Sequence, residues 1–404
     1  MLSRMSALLV VFVFALSIAD GAHAQVESLK TDVTGKFGES VLFKATARSV
    51  IPITAGVVYF QADGDTRTNV GLSEVRKIGS QTYQLTYTHK ISDYYLRPFV
   101  TVRYHWELVM KDEGEFISPV EEYEYLDNRF DWNSRAKDHY RVHWYEGDLQ
   151  FAQDILEIAQ DGGNKIQELL TMPEPNIIDI YVYADPDALK TALQIVSESW
   201  VAGHADPDLG VILVALPDGP EQRLLAEQRI PHELMHVMLY RAHTQGYDNF
   251  PIWLNEGLAS LAELYPNPDY RVLLDEAATK GELLPITVLC DAFPTEASSA
   301  LLSYAESQSF TRYVFSSFGA TGLATLVNSY ANGLDCEKGA EQALGKSLTQ
   351  LDRSWQRDSL SQDIALNTFL NLLPWTILLL LVIAAPLALV LLKTGAAQPD
   401  QEPR

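Results

Sequence analysis

The sequence predicts an α+β chain: a β-rich first part, a small sheet leading into a long helical part, and an apolar helix near the end. Three observations predict it. Residues 28–127 carry short runs of β-branched and aromatic residues between turns, the pattern changes from residue 140 to strands mixed with helices and beyond Pro220 to helical spacing, and residues 372–392 contain no charged side chain. With 404 residues the chain has room for two compact domains plus targeting segments, and its apolar and charged fractions of 47% and 21% favour packed cores over disorder. Its formal net charge of -23 repels a phosphate backbone, so no nucleic acid partner is expected.

Residues 1–24 read as a signal peptide. Arg4 supplies the positive start, residues 7–18 form an apolar run interrupted only by Ser17, and Ala22-His23-Ala24 places small residues around a cleavage point after Ala24. That apolar core is too short to span a bilayer comfortably. Residues 25–130 follow as a β domain. Val41-Leu42-Phe43 and residues 56–60, 82–87 and 98–110 have strand composition, and Lys111-Asp112-Glu113-Gly114 turns the last run back into Phe116-Ile117. Strands at this spacing suggest an antiparallel β-sandwich of immunoglobulin-like design. His89 and His105 stand singly in strand patterns and are assigned to structure.

Residues 131–362 form the second predicted domain. A strand at 141–145 precedes a helix over 148–170, whose Phe151, Ile155, Ile158, Ile166, Leu169 and Leu170 recur at helical spacing. Strands at 177–183 and 210–216 flank a helix at 187–197. Beyond Pro220 the pattern is helical to about residue 360, broken at Gly246, Pro266, Pro285, Pro294, Gly319 and Gly333. Pro231 either starts or kinks a helix. A transmembrane helix is expected over 369–392, with Pro374 near its start, Pro386 kinking it and Lys393 closing it, before a short cytoplasmic tail at 393–404. A cleaved signal followed by a stop-transfer helix places the bulk of the chain extracytoplasmic, single-pass in the cell membrane, with the lipid bilayer as a partner. Cys290 and Cys336 fall in the exported part, where a disulfide and two buried thiols are both compatible with the sequence.

His232-Glu233-Leu234-Met235-His236 lies in a helical stretch. Residues four apart stack on one helix face, so both imidazoles can bind one metal ion while Glu233, one step round, can reach a water beside it. Two neutral nitrogens suit zinc at about 2.0–2.1 Å, leaving one carboxylate to take the proton. An exposed or structural helix face is the alternative reading. Catalytic zinc also requires a third protein ligand and an open fourth position. Glu256 is the candidate, twenty residues after His236 in Trp253-Leu254-Asn255-Glu256-Gly257-Leu258-Ala259. Residues 243–251 are polar and contain Gly and Pro, enough for a turn that brings a second helix back. On that helix Leu254, Leu258 and Leu261 share a buried face, and Glu256, Ser260 and Glu263 line the polar one. A carboxylate beside Trp253 and Leu254 needs a partner if buried, and a metal supplies one.

These two segments resemble the gluzincin metallopeptidases, whose aminopeptidase branch carries the same Trp-Leu-Asn-Glu-Gly stretch. Leu302-Ser303-Tyr304-Ala305-Glu306-Ser307-Gln308-Ser309-Phe310 and the break at Gly319 are similar to bacterial peptidase-MA-like exported proteins. The resemblance covers about residues 135–360. It implies hydrolysis of a peptide or protein substrate by metal-activated water, with one Zn2+ on His232, His236 and Glu256 and with Glu233 as general base, later returning the proton to the leaving amine. It further implies a tyrosine hydroxyl where the oxyanion develops. Tyr304 matches that position and Tyr313 is the second choice, a tyrosine packed in a helical core being the alternative.

Two departures shape the expectation. The aminopeptidase branch carries a Gly-x-Met-Glu-Asn strand that grips the substrate amine, and none occurs between Trp200 and Pro217, where Val201-Ala202-Gly203-His204 and Val211-Ile212-Leu213-Val214 stand instead. An endopeptidase presenting an edge strand to an extended substrate is therefore expected. Ser260 occupies the fourth position after Glu256, where thermolysin-like enzymes use an aspartate to orient a ligand histidine, so another acceptor is required. His139, His143, His204 and His243 lack a second ligand at useful spacing, although His204 lies on a segment bordering the expected cleft. Two rival functions share these residues: an inert binding or adhesion protein, and a zinc hydrolase of a non-peptide bond such as an ester.

Overall fold

The computed structural model describes residues 26–360 apart from 113, 175 and 195–202, and residues 369–384 apart from 371 and 381. The chain divides into two units, Met1–Arg129 and Phe130–Arg404.

In the first unit, one antiparallel sheet has the order β1 (Val26–Lys36), β2 (Ser40–Ser49), β6 (Thr82–Lys90), β5 (Glu74–Lys77). A second runs β4 (Asn69–Leu72), β3 (Ile53–Ala62), β7 (Thr101–Met110), β8 (Glu115–Ile117), with β9 (Glu121–Glu124) also on β7. Strands β2, β3 and β7 alternate buried and part-exposed residues, the signature of a sheet with one face in a core. Phe43 of β2 meets Phe60 of β3 at 5.0 Å and Tyr104 of β7 at 5.5 Å between ring centres, so the two sheets pack face to face. His89 sits in this core with Nε2 2.8 Å from the Tyr94 carbonyl, and His105 stacks on Tyr59.

The second unit opens with a sheet in the order β10 (Asn133–Lys137), β11 (Tyr140–Trp144), β12 (Ile178–Tyr183), β14 (Val211–Ala215), β13 (Gly203–Asp206). The inner pairs β11–β12 and β12–β14 are parallel, and both outer strands are antiparallel to their neighbours. β14 reads as a continuous apolar run, and β12 is apolar or aromatic apart from Asp179, because both of their faces are covered. β10 is wholly exposed and β13 reads Gly-His-Ala-Asp, so neither announces itself by pattern. Helix α1 (Leu149–Leu169) starts where Asp148 accepts the Phe151 N–H at 2.9 Å. α2 (Pro186–Leu193) begins as expected and is capped by Gln194 with φ 53°, and residues 195–197 of the expected helix over 187–197 lie outside the described residues.

Six α-helices and their links follow among the described residues. α3 (Gln222–Ala242) runs through Pro231 without interruption, so the segments on either side of it are one helix. α4 (Ile252–Ala262), α5 (Asp269–Lys280), α6 (Ala297–Ala331), α7 (Cys336–Leu344) and α8 (Leu348–Trp355) complete the bundle. α6 breaks locally at Gly319, while Gly246, Pro266, Pro285, Pro294 and Gly333 fall between helices. Cys290 and Cys336 form a disulfide.

Aromatic packing fixes α4. Trp253 meets Phe310 of α6 at 4.9 Å and Phe310 meets Trp355 of α8 at 5.8 Å, all three fully buried. Burying each such ring contributes roughly 1.5–3 kcal/mol, and each edge-on pair about 0.5–1.5 kcal/mol more. Gly257 is required here: a Cβ on it would collide with the Thr311 hydroxyl and the Ser307 carbonyl of α6. The residue after Glu256 thus lets α6 lie directly behind it.

The expected signal peptide over 1–24 and tail over 393–404 lie outside the described residues, as does part of the expected transmembrane helix over 369–392. Among the described residues no helix is long and apolar enough to cross a membrane.

Candidate metal centre

α3 carries His232, Glu233 and His236, and α4 carries Asn255 and Glu256, with residues 243–251 reversing the chain between them. The two imidazoles lie one turn apart, their ring centres separated by 5.2 Å. Glu256 Oε2 lies 3.3 Å from His232 Nε2 and 3.8 Å from His236 Nε2, and the three donor atoms all fall within 4.8 Å of one another. Tetrahedral zinc with bonds of about 2.0–2.1 Å separates its ligand atoms by about 3.3 Å. The donor set, two imidazole nitrogens and one carboxylate oxygen, therefore fits zinc in kind and in spacing.

The far nitrogen of each ring is held as well. His232 Nδ1 lies 3.2 Å from Glu263 Oε1, at the end of α4, and His236 Nδ1 lies 3.1 Å from Asn255 Oδ1. Asn255 in turn donates to the Tyr247 hydroxyl at 3.2 Å, which fixes its carbonyl toward the histidine. An acceptor at Nδ1 selects the tautomer whose proton sits there and whose Nε2 lone pair is free for a metal. Sequence reasoning asked for such an acceptor at Ser260 and found the wrong residue type. Ser260 is buried, its carbonyl accepting from Gln308, and Glu263 supplies the acceptor from the following turn. The helical signal was present: positions 256 and 263, seven apart, share a face.

Electrostatics favour a cation at this point. Burial alone opposes charge on His232, yet the hydrogen bonds to Glu256 and Glu263 and the nearby Glu233 carboxylate raise its pKa well above the usual imidazole value. Burial likewise opposes charge on Glu256, but His236 and His232 hold its carboxyl below the ordinary range. A proton attracted this strongly marks a negative potential that a divalent ion can occupy instead.

Glu233 is buried beside the ligand cluster and faces β13. A Cβ on Gly203 would lie 2.5 Å from Glu233 Oε1, so the edge strand presses its backbone against this carboxylate. The cleft at this point encloses about 270 Å³, lined among others by Gly203, Arg229, His232, Glu233, Tyr270 and Tyr304. Tyr304 of α6 stands 6.4 Å from the His232 ring and edge-on to Phe293 at 5.1 Å. Tyr313 instead is partly buried, stacks on the core residue Phe310 and does not line the cleft.

A sequence model of the Peptidase MA superfamily matches residues 153–361. The chain belongs to the Peptidase MA superfamily. Among solved structures this Peptidase MA chain is similar to an aminopeptidase N family protein from Idiomarina loihiensis, at 7% identity and TM-score 0.31, covering 83% of this chain and 71% of that one. It is also similar to a purple acid phosphatase from yellow lupin (Lupinus luteus) seeds, at 9% identity and TM-score 0.21, covering 46% of this chain and 34% of that one. The chain thus spans about a third of the length of the phosphatase, and scores this low carry no weight for fold or activity. No curated protein matches the chain.

The remaining histidines of this Peptidase MA unit stand apart from the cluster. His139 pairs with Glu174 at 3.0 Å, His143 lies 2.7 Å from Asp179 and stacks on Tyr181, and His243 packs edge-on against Phe250. His204 neighbours Gly203 on β13, so strand alternation turns its side chain to the other face, 3.6 Å from Asp206. Glu263, Asn255, Gly203 and Arg229 are the site residues that sequence reasoning did not single out for these positions.

Proposed function

We propose that this chain is a zinc-dependent endopeptidase whose metal is held by His232, His236 and Glu256. The observation that carries the reading is the convergence of two Nε2 atoms and one carboxylate oxygen at 3.3 and 3.8 Å, with both Nδ1 atoms anchored behind them. A zinc ion bound there supplies Lewis acidity, making water nucleophilic near neutral pH and polarising a scissile carbonyl. Glu233, buried next to His232 and open to the cleft, takes the proton at a carboxylate oxygen and delivers it to the leaving amine. Tyr304 is the assigned donor to the developing oxyanion, and loss of its hydroxyl should lower turnover by roughly 10²–10³-fold.

β13 ends the sheet order among the described residues, with β14 on one side only. An extended peptide can add to such an edge by main-chain hydrogen bonds, which favours cleavage within a chain. In the first unit, the strand orders β1-β2-β6-β5 and β4-β3-β7-β8 support an immunoglobulin-like sandwich. We also read the chain as exported and tethered by a single span, on the apolar segments at its two ends. Labelling of intact cells with a membrane-impermeant reagent should reach the catalytic unit, and protection from it would sink that placement.

The test uses the full chain in detergent. It should contain one zinc per chain and cleave unstructured peptides, and Glu233→Gln should keep the zinc while turnover falls about 10²–10⁴-fold. A wild-type protein that binds no zinc, or an active Glu233→Gln variant, would falsify the assignment.

A further inference from the structure

Arg229 lies on α3 one turn before Glu233 and lines the same cleft. Its Nη1 donates to the Ala215 carbonyl at the end of β14, which fixes the guanidinium against the sheet. No carboxylate of the described residues lies within ion-pair distance of it. Arg141 and Arg129 behave otherwise, each gripping a carboxylate through two nitrogens, on Asp179 and Asp127 respectively. Burial opposes the charge on Arg229, and only the more distant Glu233 supports it. A guanidinium has five donors in a planar fork, and one carbonyl leaves most of them unused.

The surroundings sharpen the point. Glu233 and Glu263 line this cleft beside the proposed metal ligands. Arg229 is the one Lys or Arg among the described lining residues, so apart from the proposed metal it is the lining side chain with a fixed positive charge and a planar fork to offer a substrate carboxylate. We infer that Arg229 forms a carboxylate-binding subsite that selects peptides carrying a carboxylate close to the scissile bond. The inference rests on the peptidase reading for its substrate class and on the free donors of Arg229 for its chemistry. The carboxylate can come from an Asp or Glu side chain or from the peptide C-terminus, and both present the two oxygens that a planar fork pairs with.

The experiment compares matched quenched-fluorescence peptides with the full chain in detergent. One series exchanges Glu for Gln at each position flanking the cut, and a second exchanges a free C-terminus for an amide. The wild-type protein should prefer the acid at one position, or the free C-terminus, by roughly 10–100-fold in kcat/KM. Arg229→Gln should bring that ratio to within about threefold, and Arg229→Lys should restore part of it. Equal rates for every wild-type pair, or an Arg229→Gln variant that slows acid and neutral partners alike, would overturn the subsite. Should Arg229→Gln fail to fold, the wild-type ratios alone decide. If no peptide is cleaved, the peptidase reading fails by itself, and calorimetric binding of the same pairs then tests Arg229. A tenfold difference in Kd between partners upholds the subsite, and equal Kd values remove it.

Discussion

Glu256 on α4 and Glu306 on α6 are carboxylates withdrawn from water within one helical unit, yet they end in opposite states. Glu256 faces two imidazoles, and although burial opposes its charge, His236 and His232 hold its carboxyl below the usual range. Glu306 is fully buried and accepts one N–H, from Leu284 at 2.9 Å, with the Asp352 carboxyl nearby. Burial pushes it up to about 8. The cost of burying a carboxylate is met in the first case by cationic partners and in the second by keeping the proton. An acidic residue suited to a metal is thus recognised by what stands opposite it, and burial alone does not tell the two apart.

Removing the carboxylate at the first place should have the largest effect. Glu256→Ala is expected to weaken zinc binding by well over the roughly 10–100-fold that loss of an outer contact costs, with activity falling in parallel. Competition with a calibrated chelator measures it. Unchanged occupancy would remove Glu256 from the ligand set and erase the contrast with Glu306. Because His232 attracts a proton strongly without the metal, zinc affinity should also fall as the pH is lowered through its raised pKa.

At the second place the prediction concerns stability. A free glutamate titrates near 4.3, so between that pH and about 8 the unfolded chain has lost a proton that folded Glu306 still holds. Stability contributed by this residue is therefore complete below pH 4.3 and lost progressively as the pH rises to about 8. The ceiling on that loss is about 5 kcal/mol at 1.36 kcal/mol per unit, and Glu306→Gln should recover roughly half of it at pH 8.5, since an amide keeps the Leu284 contact. Unfolding free energies from pH 5 to 9 should fall more gently for the variant. Parallel curves would show that Glu306 is ionised like Glu256 and that the two regions do not differ.

This contrast was only partly legible in the sequence. The i, i+4 spacing of His232 and His236 follows from helix geometry alone, and Trp253 and Leu254 beside Glu256 already make a buried carboxylate visible. β12 and β14 were legible for the same local reason, β14 as an unbroken apolar run and β12 as one interrupted only by Asp179. Glu263 was read as one more polar-face residue because its partner, His232, lies 31 positions away and only tertiary packing joins them. Tyr304 and Tyr313 occupy one helix, and periodicity could not say that Phe310 would hold the second away from the cleft. Glu306 appeared only within the stretch that carried the resemblance, with nothing local to show that its partner would be a backbone N–H. β13 escaped because a Gly-His-Ala-Asp strand has no apolar alternation and earns its place through pairing with β14.

Glu263 sharpens the comparison from the side of the ligand histidine. Glu263→Ala should weaken zinc binding by about 10–100-fold, less than loss of Glu256, because His232 keeps its Nε2 but loses the acceptor that sets its tautomer. Glu263→Gln should fall between that variant and wild type, since an amide oxygen can still accept. Equal zinc affinities for all three proteins would remove Glu263 from the support of His232.

The smallest predicted effect concerns the third buried carboxylate of the pair of helices, Glu233, which is placed by backbone contact. With a Cβ at position 203 only 2.5 Å from Glu233 Oε1, Gly203→Ala must displace either β13 or the carboxylate by a fraction of an ångström to about one ångström. The proposed ligands His232, His236 and Glu256 project from α3 and α4, and the atoms nearest a Cβ at position 203 all belong to Glu233, so zinc affinity should stay within about twofold of wild type. Turnover depends on where the proton acceptor sits, and misplacement by about 1 Å can cost up to roughly 10²-fold, so a fall in kcat of about tenfold is expected. Because β13 is also the proposed docking edge, KM separates the two roles: a rise in KM with unchanged kcat would show that the strand only binds substrate. A fall in kcat at constant zinc content would show that the base is held by the strand facing it.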